Sequence, residues 1–137
     1  MKILIVDDSP GIVETLRQTL ESILPAAEVL AAPDVTSARK LLHDAKPDIV
    51  LLDLMLAHGP TGTNLVPDIA KLDHECHAII LTGLPREHPE VVTALSLGAF
   101  GYVRKPIRRA ALLDAFRELE AETSERPQPF GSLSGEG

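Results

Sequence analysis

Tryptophan is absent from this 137-residue chain, and tyrosine occurs once. With aromatics at 3%, the core has to be built from aliphatic side chains. A single cysteine, Cys76, excludes an intramolecular disulfide framework and a cysteine-rich zinc site. Basic charge is short: 13 Lys+Arg stand against 20 Asp+Glu, a formal net charge of -7. That balance speaks against broad nucleic-acid binding, which needs a basic footprint. No apolar run approaches the ~20 residues of a membrane-spanning helix. The first strand-like run starts at Lys2 with no signal-peptide pattern before it. A cytoplasmic location is the resulting expectation. Gly-x-Gly-x-x-Gly and Gly-x-x-x-x-Gly-Lys are both missing, which removes the usual phosphate-cradling loops of nucleotide-binding folds.

What is present is an ordinary globular balance, 45% hydrophobic and 24% charged, at a length that suits one domain. A chain of this size buries about two-thirds of its unfolded surface and needs no covalent staple. Apolar runs at Ile3–Val6, Ile49–Leu52, Ala78–Leu81 and, more weakly, Phe100–Val103 read as strands covered on both faces. Ala27–Ala31 is a fainter fifth. Helical spacing links Ile12, Val13, Leu16, Leu20, Ile23 and Leu24, behind a Ser9 N-cap and Pro10 at the first helical position. A second helix carries Ala38, Leu41, Leu42 and Ala45 and stops before Pro47. A third carries Leu65, Ile69 and Leu72, with Pro67 weakening its start. Val91, Val92, Ala94 and Leu95 form a fourth, ended at Gly98, and Leu112, Ala115, Phe116 and Leu119 a fifth. The alternation predicts an α/β fold with a doubly wound parallel sheet of five strands and five flanking helices. From about Glu122 to Gly137 the composition shifts to Ser, Glu, Pro and Gly, which predicts a disordered tail or linker stub after a 1–121 domain.

The chemistry gathers where the strands end. The first run closes on Asp7-Asp8, the third on Asp53, the fourth on Thr82, and the fifth is followed by Arg104 and Lys105. Open α/β sheets bind ligands at that carboxyl edge. Three neighbouring carboxylates raise one another's pKa unless compensated. Magnesium takes oxygen ligands, keeps several waters and uses one or two carboxylates plus a phosphate oxygen, so Asp7, Asp8 and Asp53 fit that role. A carboxylate can also be the nucleophile towards a phosphoryl group, whose charge Lys105 and Mg²⁺ would neutralise.

In order and spacing, four segments resemble the receiver domain of two-component response regulators, the CheY-like family: Ile3–Ser9, Pro47–Met55, Ile79–Gly83 and Gly98–Pro106. The resemblance covers about Lys2 to Ala121. It implies a flavodoxin-like sheet ordered 2-1-3-4-5. It implies that Asp53 is the phosphoacceptor, loaded from a histidine kinase or phosphotransfer protein. It implies that Asp7, Asp8, Asp53 and the Met55 backbone carbonyl bind Mg²⁺. Lys105 then pairs with the phosphate, Thr82 is the switch hydroxyl and Tyr102 the aromatic that packs inward. Lys105-Pro106 is the family's cis peptide. The face of the fourth helix, fifth strand and fifth helix is implied to bind a downstream protein target or a second copy. Neither nucleic acid nor membrane is implied for this domain. The chain departs from the pattern at three points. Ala57 stands where many receivers have proline, the loop before Gly62 is about one residue longer, and Gly83 follows the switch hydroxyl.

Two other readings stand beside this one. The first is an atypical receiver that acts as an interaction module without phosphate. The second is a carboxylate-nucleophile phosphatase, which usually shows Asp-x-Asp after the first strand, unlike the adjacent Asp7-Asp8 here. A receiver is expected to be no enzyme beyond its own phosphorylation and dephosphorylation. Arg104, Arg108 and Arg109 read as solvated surface, His58 and His88 as loop residues without metal spacing, and Cys76 as packing.

Overall fold

The computed structural model describes residues 1–57 and 59–123. Five strands, β1 (Lys2–Val6), β2 (Glu28–Ala32), β3 (Ile49–Leu52), β4 (His77–Thr82) and β5 (Gly101–Arg104), alternate with α1 (Pro10–Ile23), α2 (Val35–Asp44), α3 (Val66–Ala70), α4 (Pro89–Ser96) and α5 (Arg109–Glu122). All pairings are parallel and the order is β2-β1-β3-β4-β5. The expected fold class and strand order are therefore both observed.

The continuous apolar runs arise because the sheet is covered twice. Ile3, Ile5, Ile49, Leu51, Ile79 and Leu81 point into a layer shared with α1 and α5, where Phe116 is fully buried. Leu4, Val6, Val50, Leu52, Ala78 and Ile80 point the other way, into a layer with α2, α3 and α4. Alternate residues of one strand thus serve two cores, and no polar face is needed. The sheet grows in opposite directions from β1 and β3, so a crevice opens between their carboxyl ends.

Local chemistry sets the helix ends. Ser9 caps α1, its Oγ accepting from Ile12 N at 3.4 Å, and Pro10 takes the first turn where no N–H is required. Gly98, at φ +119°, closes α4 with its N–H on the Leu95 carbonyl, as expected of a glycine just past a helix. Some elements differ from the sequence reading. Asp34 caps α2 through Ser37 N at 2.8 Å, so that helix begins three residues before Ala38. Pro67 opens α3 instead of weakening it, because the first helical turn needs no donor there. A 3₁₀ turn at Gly62–Leu65 leads into α3, which ends at Ala70 and leaves Leu72 beyond the helix. α5 runs to Glu122 and Thr123 is buried, so both belong with the helical layer and not with a tail. The rest of the expected tail, residues 124–137, lies outside the described residues, as does His58. No helix among the described residues is long and apolar enough to cross a membrane.

Candidate phosphoacceptor and metal site

Asp7 and Asp8 follow β1, Asp53 follows β3, and Lys105 follows β5. The sheet order brings them to one edge. Asp7, Asp8 and Asp53 each offer a carboxylate oxygen, and these oxygens all lie within 4.8 Å of one another. The Lys105 Nζ reaches across to donate to Asp7 Oδ2 at 2.7 Å and to Asp53 Oδ2 at 3.0 Å. Asp7 is only 5% exposed and Asp53 6%, so these charges sit in a protected crevice where pairing counts for more than at the surface.

The two buried carboxylates are held by the same local device. Asp7 Oδ1 accepts from Ser9 N at 2.9 Å, and Asp53 Oδ1 accepts from Met55 N at 3.1 Å. Each is an aspartate bonded to the backbone N–H two residues on. In both, one oxygen is fixed by the loop and the other faces the lysine. Asp8 is tied differently, its Oδ2 accepting from Ala57 N at 2.7 Å. A proline at 57 has no N–H and could not make this bond. The departure from the family pattern thus supplies a donor to one of the carboxylates.

Three carboxylates against one ammonium leave an excess of negative charge. Burial pushes the Asp53 carboxyl above its usual range, while the hydrogen bonds from Lys105 and Met55 pull against that rise. Burial draws the Lys105 ammonium down, but the hydrogen bonds to Asp7 and Asp53 outweigh it and leave the group above its ordinary value. The donor set suits a hard divalent cation. Octahedral coordination at ~2.1 Å spaces its ligand oxygens by roughly 3 to 4 Å, close to the clustering of these carboxylates, and accepts water at the remaining positions. The Asp residues could therefore hold Mg²⁺. Met55, whose carbonyl is the fourth expected ligand, has an exposed side chain and its N–H on Asp53.

The family is decided by this geometry together with comparison. Residues 3–117 match the family described as the response regulator receiver domain. The chain belongs to that family. Among solved structures, a CheY-like receiver from Methanospirillum hungatei JF-1 is similar at 28% identity and TM-score 0.79, over 90% of this chain and 96% of that one. A LuxR-family two-component response regulator from Aurantimonas sp. SI85-9A1 is similar at 33% identity and TM-score 0.76, over 88% and 85%. The BeF3-activated N-terminal receiver domain of Klebsiella pneumoniae RstA is similar at 29% identity and TM-score 0.75, over 86% and 97%. Receiver domains generally bind Mg²⁺ at an acidic pocket and work with histidine kinases or phosphotransfer proteins and with downstream effectors.

The remaining candidates lie beside the cluster. Thr82 is fully buried at the end of β4, and its Oγ1 accepts from Leu84 N at 3.4 Å. The Lys105 N–H donates to the Thr82 carbonyl at 2.8 Å, which ties the lysine's backbone to that strand. Tyr102 is half-buried, and its hydroxyl donates to the Leu84 carbonyl oxygen. The Arg86 guanidinium sits 4.9 Å from the centre of that ring. The Lys105-Pro106 peptide is cis, as the resemblance implied.

One further residue has a role the sequence reading did not give. His88 is the N-cap of α4, its Nδ1 accepting from Glu90 N at 3.1 Å. Arg104, Arg108 and Arg109 are exposed, in line with the solvated surface read from the sequence, with Arg104 Nε on the Gly83 carbonyl at 3.3 Å and Arg109 Nε on Ser22 Oγ at 3.2 Å. Burial pushes the Cys76 thiol up to about 12, which keeps it protonated and unreactive. From the sequence, Gly62 reads only as part of a loop. A Cβ there would lie 2.0 Å from the Asp53 carbonyl oxygen, so only glycine fits against the Asp53 backbone.

Proposed function

We propose that this receiver is a phosphorylation-controlled switch in which Asp53 accepts a phosphoryl group from a phosphohistidine. The observation that carries the reading is the Lys105 ammonium bridging Asp7 and Asp53 inside a three-carboxylate cluster. An Asp53 carboxylate oxygen attacks phosphorus, the P–N bond to the donor imidazole breaks, and the imidazole leaves with that electron pair. Asp7, Asp8, Asp53 and the Met55 carbonyl would hold Mg²⁺, which would supply charge neutralisation for the transferring group. Lys105 pairs with the phosphoryl oxygens. Asp7 is oriented by its backbone anchor at Ser9 N.

Thr82 then exchanges its bond with Leu84 N for one with the phosphoryl group, and Tyr102 follows the loop. The face of α4, β5 and α5 thereby changes its affinity for a downstream protein or a second copy. Moving such an equilibrium from 1:99 to 99:1 takes about 5.5 kcal/mol of differential stability. The chain acts on no substrate other than its own phosphoryl group, and works in the cytoplasm, where a kinase domain reaches it. The test is labelling by a small phosphodonor such as acetyl phosphate. Label should enter the wild type only with Mg²⁺ and be absent from Asp53→Asn. Label that persists in Asp53→Asn, or that ignores Mg²⁺, defeats the reading.

A further inference from the structure

A second connection runs from Asp53 to α4, separate from Thr82. It begins at Gly62, whose N–H donates to the Leu54 carbonyl at 2.9 Å and whose Cα leaves no room for a side chain against the Asp53 carbonyl. Backbone movement at Asp53 is therefore passed to Gly62 with little slack. The next residue, Thr63, is 8% exposed, and its hydroxyl donates to Glu90 Oε2 at 2.6 Å. A buried hydroxyl facing an ionised acceptor makes a short, strong hydrogen bond. The two residues are 27 positions apart, so the bond joins two elements and not two turns of one helix.

Glu90 lies in the first turn of α4 and is held twice. Its N–H meets the His88 cap, and its carboxylate meets Thr63. Pro89 fixes the backbone between His88 and Glu90. The start of α4 is thus pinned to the 3₁₀ turn beside the phosphoacceptor. This is the arrangement in which Thr82 Oγ1 is engaged by Leu84 N. The segment after Thr82 leads directly to this helix start, so in the proposed switch a turn of that hydroxyl towards a phosphoryl group would pull on the pinned residues at its far end.

We propose that the Thr63–Glu90 hydrogen bond is a brake that holds α4 in its unphosphorylated position, so that Thr63 and Glu90 set how strongly a phosphoryl group must act to throw the switch. The inference rests on the phosphoacceptor reading above. It assigns positioning roles, since neither residue touches the carboxylate cluster.

The experiment is a calorimetric titration with beryllofluoride, a phosphoryl mimic, in saturating Mg²⁺. Wild type and Asp53→Asn establish the underlying reading. Thr63→Val keeps the side chain's shape without the hydroxyl, and Thr63→Ser keeps the hydroxyl. Removing a restraint on the unliganded state raises apparent affinity, and Thr63→Val should bind about three- to tenfold more tightly than wild type, with Thr63→Ser within about twofold of it. Amide exchange at Val91 and Val92 should quicken in Thr63→Val while α5 amides keep their rates. Should Thr63→Val not fold, Glu90→Gln takes its place, with a smaller tightening in the same direction. Unchanged or weaker binding with altered thermal stability reduces the bond to a structural contact and overturns the brake alone. A wild type that ignores beryllofluoride, or an Asp53→Asn that binds it equally, overturns both readings.

Discussion

Asp53→Asn should stabilise the magnesium-free protein. Asp53 faces two other carboxylates and one ammonium. Two unit charges within 4.8 Å repel by about 3.5 kcal/mol at an effective dielectric near 20. Lys105, 3.0 Å from Asp53, attracts by about 5.5 kcal/mol on the same scale, so it offsets most of the two repulsions and leaves about 1.5 kcal/mol uncompensated. Desolvation of a nearly buried carboxylate adds to it. Asparagine keeps the shape and can still accept from Met55 N. Allowing for relaxation, the substitution should gain about 1–3 kcal/mol in EDTA, and each kcal/mol is worth about 3–5 °C in Tm at this size.

Magnesium should then narrow or invert the order. At a free concentration of 100 Kd, binding adds about 2.7 kcal/mol to the wild type. Asp53→Asn has lost a charged ligand and should gain less. The assay is a thermal melt of both proteins in EDTA, in MgCl2, and in NaCl of matched ionic strength. The pH dependence has a definite sign. Asp53 has a folded pKa above the unfolded 3.8, so the folded state binds its proton more tightly. Its contribution favours folding below that window and is lost as pH rises through it. The advantage of Asp53→Asn should therefore open as pH climbs from about 4 and level off once Asp53 is ionised in the fold. Equal magnesium responses, or an Asp53→Asn protein less stable than wild type in EDTA at neutral pH, would refute the reasoning.

Three further outcomes follow from the same geometry. Gly62→Ala forces a methyl against the Asp53 carbonyl and should cost on the order of 3 kcal/mol in a urea titration, with loss of beryllofluoride binding. Lys105→Ala leaves the carboxylates without their ammonium. It should lose on the order of 2 kcal/mol in EDTA and gain more from Mg²⁺ than wild type does, read from the same melts. Tyr102 is the one tyrosine in a chain without tryptophan, so its emission reports this position alone. Arg86→Ala should raise its quenching by acrylamide and cost about 0.5–1 kcal/mol of local order, with Mg²⁺ affinity unchanged.

Most of the site could be read from the chain because it is encoded locally, strand by strand. An apolar run that ends in Asp places a carboxylate at the carboxyl edge of a parallel strand, whatever the rest of the fold does. Asp7, Asp53, Thr82 and Lys105 each needed only that rule, and strand order, implied by resemblance, made them neighbours. Even the anchoring of Asp7 by Ser9 N and of Asp53 by Met55 N spans two residues. Illegible features depend on backbone groups or on distant approach. The Ala57 N–H that meets Asp8 carries no side-chain signature. Pro67 reads as weakening the start of the third helix because its place within the first turn of α3 is set by the 3₁₀ turn before it.

The same division separates chemistry from control. Cluster charge, ligand type and the paired lysine come from residues whose positions follow from the ends of strands, so they tolerate wide change elsewhere in the sequence. The entry to α4 is set by His88, Glu90 and Thr63, none of which lies at a strand end. His88 read as a loop histidine because a histidine cap has no strong positional signal, unlike Ser9 or Asp34. Thr63 follows Gly62, whose close approach to the Asp53 carbonyl leaves no room for a Cβ, and it meets Glu90 from a position 27 residues away. A receiver can therefore keep its phosphoacceptor site intact while the threshold for its switch is retuned by polar contacts of this kind.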